Sequence, residues 1–374
     1  MTVSQASATQ TAEVVASEVL RPYALKTERE RVFPLDGISA TVKSGLVGLL
    51  ASPRVEGVSH KWAPYCRVLR ILSAACPSTA LVYEMHCQAS WEATHLPASD
   101  FRDSIVEGLS SGRLWGAIAI ADSGDDPLKY TKLGPNSFTL SGTKLHVTGI
   151  RRADVVIVST TFRAAGQSIR AMVLPMGREG ISVSPQRWNA LGMNGQDAAA
   201  VRFAKVAVQT QELVQEPEQM DAHLPFTPHV LGFAAVILGT LEGLVADANM
   251  VVHSRARLGL RFVLPNVYGR AVAAVSAGAK LLEDAIRLYE DEDSSAGLQG
   301  MAAKAYITDC AGDVANALLQ VGGTALYLSD NEVAQHFQLL FRDLQGLLLL
   351  GPRNVTIQTR VANEAANIEG SPFA

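Results

Sequence analysis

Three places in this chain hold residues suited to chemistry. His229 lies at the predicted start of a helix, and an imidazole that titrates near neutrality can act as a general base or acid. Arg255 follows on the same predicted helix, and a planar guanidinium can meet two phosphate oxygens at once. Gly322 and Gly323 lack side chains, so their backbone can approach a bound molecule closely.

A fourth place is the segment 138–159, which is predicted to form a β-hairpin followed by a further strand. Ser141 and Gly142 would supply the turn, and the apolar residues alternate so that they would share one face: Phe138, Leu140, Leu145 and Val147. The run 155–158 is apolar and β-branched, as a buried strand should be. The second half of the hairpin carries three polar side chains: Lys144, His146 and Thr148.

Composition describes the protein that must position these residues. The 374 residues are 48% hydrophobic with a mean hydropathy of +0.15, which indicates substantial cores. At about 150 residues per unit, the length predicts two to three structural units. The 32 basic and 36 acidic residues give a net charge of −4, so no nucleic-acid partner is expected.

The cysteines and the apolar segments indicate a soluble protein of the cytoplasm. The four cysteines show no CxxC spacing and no histidines at zinc-site distances, so they are expected to be reduced and no metal site is predicted. Residues 1–18 lack the basic start and apolar run of a secretory signal. The most apolar window, 230–250, contains Glu242 and Asp247, so no membrane span is expected.

Hydrophobic periodicity divides the chain into three regions. Residues 1–113 show three- and four-residue spacings typical of helices, and residues 114–220 alternate as β-strands do. Residues 221–374 return to long helices, predicted at 230–253, 267–289, 297–319 and 331–350. The order helical, β, helical predicts an α+β protein that ends in a helix bundle.

With this organisation in view, the run LSGTKLHVTG resembles the NGxKxWITN segment of the acyl-CoA dehydrogenase superfamily, and the resemblance extends over nearly the whole chain. It implies a helical N-terminal domain, a middle β-barrel-like domain and a C-terminal four-helix bundle. Thr148 would contact the flavin ring, and His146 stands where the family has tryptophan. Ile120, Asp122 and Ser123 would occupy the place of the family's TEPxAGSD loop, which is shortened here.

Two bundle motifs extend the resemblance to the cofactor's diphosphate. Arg255 and Leu258 fall in a run similar to the family's R-x-x-F-G, whose arginine binds the FAD pyrophosphate of a neighbouring subunit. Gln320, Gly322 and Gly323 resemble the family's Q-x-x-G-G, with the glutamine one residue out of place. The resemblance therefore implies FAD and a homotetramer or homodimer, because a monomer would have an incomplete site.

Two further positions correspond to the places where members of the family carry the glutamate base. The family's usual glutamate base lies nine positions after the arginine of an Arg-Asp step, here Arg342-Asp343, and that position is Gly351. Some members place the glutamate 26 positions before the motif arginine, and that position is His229. His229 is therefore the candidate catalytic base, while Asn194 replaces another usual arginine.

Three functions remain open from the sequence. The slightly favoured one is oxidation of an acyl thioester, on CoA or a carrier protein, with FAD. The second is a flavin-dependent monooxygenase that uses FMN or FAD, with reduced flavin from a flavin reductase. It is favoured by Gly351, by the altered loop and by the run 323–327. It is opposed by the lack of the usual histidine after the Arg-Asp step. The third is a catalytically silent subunit of a hetero-oligomer.

Overall fold

The computed structural model describes residues 5–51, 62–134, 137–164, 167–215, 227–260, 264–349, 357–359 and 361–362. The N-terminal region is helical. Its first helix runs through a single π-helical turn, Ala16–Leu20, directly into the second. The helices are α1 Gln5–Val15, α2 Arg21–Glu30, α3 Leu35–Lys43, α4 Trp62–Ala75, α5 Pro77–Ala93 and α6 Asp100–Ser110.

Helix α5 lies at the centre of the protein. It begins with Pro77 at a position where no backbone N–H is required. Sixteen of its 17 residues are buried, so it is a core helix without a solvent face. Its neighbours include α4, α6, α7 and strand β1, which puts α5 between the β region and the C-terminal helices.

Eight strands form the middle region as two four-stranded sheets. One sheet has the order β1-β4-β5-β8 and the other β2-β3-β7-β6, and a shared apolar core fills the space between them. Strands β1 and β4 are parallel, whereas the other described pairs are antiparallel. The strands are β1 Gly116–Ala119, β2 Lys129–Gly134, β3 Ser137–Val147, β4 Val155–Ala164, β5 Gln167–Pro175, β6 Ile181–Val183, β7 Ala199–Gln209 and β8 Leu213–Gln215.

The predicted hairpin turn at Ser141 and Gly142 is wrong. Strand β3 continues through both residues and pairs with β2 and β7, with a bulge between Leu140 and Gly142. Gly142 has φ 129°, and a Cβ there would lie 2.6 Å from the Pro127 carbonyl oxygen. The glycine therefore serves a bulge inside the strand rather than a chain reversal.

The predicted apolar face of β3 is also partly wrong. Phe138, Leu140 and Lys144 are buried on one face of the strand, and Leu145 lies on the opposite face. A second register shift between Lys144 and Val147 restores burial at Val147. The predicted strand at 155–158 is confirmed, but it belongs to the other sheet from β3.

The C-terminal region is helical, and the four predicted helices are confirmed with shifted ends. The helices are α7 Thr227–Arg257, α8 Pro265–Glu290, α9 Ala296–Gly322, the single turn α10 Thr324–Tyr327, and α11 Glu332–Leu347. Among the described residues, α7 is the helix long and apolar enough to cross a bilayer, but 83% of its apolar window is buried inside the protein. It is the central helix of the bundle, and it packs against α4, α9 and α11.

Candidate functional site

The turn after β3 is held by Gln196, a residue that the sequence did not single out. The Thr148 hydroxyl donates to Gln196 Oε1 at 3.0 Å, and the Gly149 amide donates to the Gln196 carbonyl oxygen at 2.9 Å. Gln196 lies in the short 3₁₀ turn Asn194–Gln196 and is buried. Its Nε2 is buried without a partner in the described part of the chain, and such a donor is suited to an acceptor on a ligand.

His146 stands on the same turn in a strained conformation. Its φ of 54° is left-handed, which is uncommon for a residue other than glycine and is often found at functional sites. The exposed imidazole meets the Trp188 ring edge to face, with 5.4 Å between centroids. Trp188 Nε1 is a second buried donor that has no partner among the described residues. Two orphaned donors thus lie beside Thr148 and His146.

Lys144 joins this turn to the segment after β1. Its ammonium donates to the Ile120 carbonyl oxygen at 2.6 Å and pairs with Asp122 at 3.1 Å. Burial lowers the pKa of Lys144, and the hydrogen bond to Asp122 opposes that shift. The Ser123 amide donates to the Thr143 carbonyl oxygen at 2.9 Å. The structure therefore brings Ile120, Asp122 and Ser123 alongside β3, and their role in binding a cofactor stays a prediction.

The turn 193–196 is fixed from outside by two acidic residues. Asn194, which replaces a family arginine, donates to Glu28 from its backbone at 2.8 Å and from its side chain at 2.5 Å. The Met193 amide donates to Asp343 at 2.6 Å. Burial and the nearby Glu28 carboxylate raise the pKa of Asp343 to about 8. An amide at 194 thus suits an acidic environment supplied by α2 and α11.

His229 lies near the start of α7 and is buried. Its Nδ1 lies 3.1 Å from Gln88 Oε1, and its ring meets Phe233 edge to face with 4.7 Å between centroids. Burial lowers the pKa of His229 to about 4, and the charge of Lys304 adds to the shift. The ring is therefore neutral at pH 7. The neutral form arises from burial and a neighbouring cation.

Gln88 continues the contact to Glu84 on the preceding turn of α5. The Gln88 amide donates to Glu84 Oε1. Burial raises the pKa of Glu84 well above its ordinary range, which favours the protonated carboxyl group. This network could not be predicted from the sequence, since Glu84 and Gln88 lie more than 140 residues before His229.

Helix α5 links His229 to the Thr148 turn. Ser78 and Val82 lie one turn apart and contact the turn: Val82 lies beside Gly149 and Ser78 beside Gly195. Glu84 and Gln88 lie on a different face of α5 and contact α7. The turn and the candidate base are therefore placed by two faces of the same helix.

Arg255 forms a separate group at the far end of α7. Its guanidinium donates to the carbonyl oxygens of Val321 at 3.1 Å and Gly322 at 2.8 Å. These are carbonyls of the last turn of α9, which Gly323 ends with φ 54°. Arg255 therefore contacts the segment that contains the two glycines, and the cofactor-binding role of all three stays a prediction. Leu258 and Gln320 are both exposed in this region.

A groove of about 580 Å³ adjoins Arg255. Cationic or titratable side chains in its lining are His253, Arg255 and Arg257. His229 and Arg255 are 26 residues apart on one helix, or about 39 Å at roughly 1.5 Å per residue. One chain therefore presents two separate groups of site residues.

Some positions of interest lie outside the described residues, among them Gly351 and Pro225. Within the described ranges, no cluster of three or more histidine, cysteine or acidic side chains could hold a metal ion.

Comparison with known proteins agrees with this architecture. The family of acyl-CoA dehydrogenase N-terminal domains matches residues 2–112. The mitochondrial isobutyryl-CoA dehydrogenase of Bos taurus is 21% identical over 337 residues, covering 86% of this chain and 80% of that protein. The structure of FMN-bound TdsC from Paenibacillus sp. A11-2 has a TM-score of 0.83 at 20% identity, covering 98% of this chain and 99% of that chain.

Residues 2–112 thus match an acyl-CoA dehydrogenase domain family, and the fold of the whole chain is that of the acyl-CoA dehydrogenase superfamily. The fold expected from the resemblance is confirmed: a helical N-terminal region, sheets in the middle and a helical C-terminal region. The superfamily includes more than one chemistry. A dibenzothiophene monooxygenase of Rhodococcus erythropolis is 24% identical over 255 residues, covering 63% of this chain and 60% of that protein.

Proposed function

We propose that the chain is a flavin-dependent monooxygenase of this superfamily. Its similarity to dehydrogenases and monooxygenases of the superfamily supports a flavin-dependent oxidoreductase. The protonation state of His229 favours oxygen transfer over dehydrogenation. Burial holds the pKa of this imidazole at about 4, and a general base works best when its pKa lies near the operating pH. Removing the α-proton of an acyl thioester requires a base, whereas oxygen transfer from a reduced flavin does not.

The other acidic group beside His229 supports the same conclusion. Burial raises the pKa of Glu84 well above its ordinary range, which disfavours the carboxylate form that a base needs. The position of the family's usual glutamate is occupied by Gly351, which cannot accept a proton.

The residues around Thr148 fit a flavin ring. Flavin rings carry nitrogen and oxygen acceptors along one edge, and Gln196 Nε2 and Trp188 Nε1 are buried donors that lack protein partners in the described ranges. The Thr148 hydroxyl is already oriented by Gln196, and Lys144 fixes the backbone at Ile120. A bound flavin would supply the electrons and the activation of dioxygen; the chain would bind the ring, orient the substrate and exclude water.

A second candidate is a dehydrogenase that oxidises an acyl thioester with FAD, and the Arg255 groove favours it. Two of the five guanidinium N–H groups of Arg255 cap α9, which leaves three for an anion such as a diphosphate. FAD contains a diphosphate and FMN does not. Because this groove lies about 39 Å along α7 from His229, we propose that it serves the flavin of a second copy in a homodimer or homotetramer.

An anaerobic and an aerobic assay separate the two candidates. The purified chain is loaded with FAD or FMN, and butyryl-CoA and isobutyryl-CoA are added without oxygen while flavin absorbance is recorded. Separately, a flavin reductase and NADH supply reduced flavin under ¹⁸O₂ to a panel of aromatic and sulfur compounds that includes dibenzothiophene. Products are analysed by mass spectrometry.

If the chain is a monooxygenase, the thioesters should not bleach the bound flavin. A product of the aerobic assay should contain one ¹⁸O atom. Bleaching by either thioester would contradict it and favour the dehydrogenase. Failure to bind either flavin would contradict both and support a catalytically silent subunit. A Thr148→Val variant serves as the control, because it should weaken flavin binding in both assays.

A further inference from the structure

We propose that Gln88 is a positioning residue that holds His229 as the Nδ1-protonated neutral imidazole and leaves Nε2 as a hydrogen-bond acceptor. The tautomer is argued from contacts within this chain alone. The use of Nε2 toward a substrate rests on the proposed function.

The orientation of the Gln88 amide carries the assignment. Gln88 Nε2 donates to Glu84 Oε1, so Gln88 Oε1 is the end that faces His229. An amide oxygen only accepts hydrogen bonds, and it lies 3.1 Å from His229 Nδ1. Nδ1 must therefore carry the hydrogen, and in the neutral ring Nε2 then carries the lone pair.

Glu84 sets the direction of this chain of hydrogen bonds. A protonated carboxyl could act as donor or acceptor toward Gln88, and the donor role would reverse the amide and the tautomer. Glu84 Oε1 receives the Gln88 amide, which leaves the proton for Oε2. Glu84 Oε2 and Tyr65 Oη are both buried. Neither atom has a hydrogen-bond partner in the described part of the chain.

Gly232 on α7 makes room for this arrangement. A Cβ at this position would lie 2.4 Å from Glu84 Oε1 and 2.6 Å from Tyr65 Oη. Any larger residue would push the carboxyl group away from Gln88 or displace the tyrosine. The glycine therefore allows Glu84 to hold the amide in the orientation that His229 requires.

The remaining groups around His229 keep the ring neutral without choosing its tautomer. Phe233 offers an aromatic face, and Lys304 on α9 contributes a positive charge. A neutral imidazole free in water favours the Nε2-protonated tautomer, so Gln88 would reverse the ordinary preference. Under the proposed function, Nε2 would accept a hydrogen bond from an N–H or O–H group of the substrate.

His86, which lies on α5 with Gln88, provides an internal control with the opposite tautomer. The Gly116 amide donates to His86 Nδ1 at 3.1 Å, so Nδ1 carries the lone pair. His86 Nε2 lies 3.1 Å from the Leu109 carbonyl oxygen and must be the donor. Burial lowers the pKa of His86 to about 3, so both α5-linked histidines are neutral at pH 7.

The test is a two-dimensional ¹⁵N–¹H correlation spectrum of the full chain, labelled with ¹⁵N-histidine, at pH 7. The ring signals are assigned with His229→Asn and His86→Asn. We expect the Nδ1-protonated pattern for His229 and the Nε2-protonated pattern for His86. An Nε2-protonated or doubly protonated pattern for His229 would overturn the proposal.

Gln88→Leu then tests the cause. Its His229 signals are expected to move to the Nε2-protonated pattern while those of His86 stay unchanged. An unchanged His229 pattern in this variant would show that Gln88 does not position the ring. If the variant does not fold, the wild-type spectrum still decides the tautomer. Neither readout depends on turnover, so inactivity in the oxygen and thioester assays would refute the proposed function and leave the tautomer assignment standing.

Discussion

At the scale of single residues, Gln196 organises the candidate flavin site. It accepts from Thr148 through its side chain and from Gly149 through its backbone, and its amide nitrogen remains without a partner among the described residues. One buried side chain therefore orients the threonine and presents a donor to a ligand. Burying an unpaired donor is unfavourable, so binding an acceptor there would recover that free energy.

Replacing this residue should weaken flavin binding. In Gln196→Leu the Thr148 hydroxyl loses its acceptor and the ligand loses a donor. A loss of about 1–3 kcal/mol corresponds to a rise in the flavin dissociation constant of roughly 5- to 150-fold. Fluorescence titration with FAD and FMN measures it. Gln211→Leu, at an exposed glutamine, is the matched control, and equal affinities for the two variants would contradict the role of Gln196.

Asp343 should make stability depend on pH. Its pKa is about 8 in the folded protein and 3.8 ordinarily, so between these values the folded state binds more protons than the unfolded state. The stabilisation is complete below pH 3.8 and is lost as pH rises through about 8. Urea unfolding across this range should show a smaller pH dependence for Asp343→Asn than for the exposed control Asp284→Asn. Identical pH dependences would show that Asp343 does not titrate in this way.

At the scale of elements, strand β3 positions the site through its irregularities. Its first bulge lies at Gly142, and its second register shift lies next to His146. The second shift changes which side chains face the core, so that after the buried Lys144 the side chain of His146 is exposed and that of Val147 is buried. Because side chains alternate along a strand, one extra residue is enough to reverse every later position.

Gly142→Ala should therefore destabilise the middle region. The φ of 129° is costly for alanine, and the new Cβ would meet the Pro127 carbonyl oxygen. Backbone strain of this type costs about 1–3 kcal/mol. The control is Gly177→Ala, because nothing lies within 4 Å of a Cβ at that glycine. Thermal unfolding compares the two, and equal melting temperatures would argue against strain at Gly142.

At the scale of the whole molecule, a buried ionic cluster ties the N-terminal helices to the bundle. Asp247 of α7 pairs with Arg21 of α2 and with His336 of α11, each at 2.6 Å. His336 Nε2 also lies 2.9 Å from the Ala75 carbonyl oxygen. Both ring nitrogens of His336 therefore face hydrogen-bond acceptors. Four separate elements or their ends meet at this cluster.

Breaking the cluster should lower global stability. His336→Gln alters one of the two side chains that contact the fully buried Asp247 carboxyl group, and loss of a partner from a buried acceptor costs about 1–3 kcal/mol. Urea unfolding monitored by tryptophan fluorescence measures the change. The control is His253→Gln, which replaces an exposed histidine on α7, the helix of Asp247. Its free energy of unfolding should stay within about 0.5 kcal/mol of wild type. Similar losses in the two variants would contradict this account.

The sequence alone determined the order of helical, β and helical regions, the long C-terminal helices and the superfamily. These features depend on local periodicity and on motifs short enough to be read along the chain. Short motifs also singled out Arg255, Gly322 and Gly323, whereas the contact between Arg255 and the end of α9 comes from the structure.

The tertiary structure decided what the sequence could not. The turn at Gly142 became a bulge because β3 gained a partner on each side: β2, which directly precedes it, and β7, which lies far along the chain. The state of His229 depends on Gln88, which lies 141 residues away, and on burial by helices that only packing brings together. A residue type is local information, but its hydrogen-bond partners, its desolvation and hence its basicity arise only when separate segments meet.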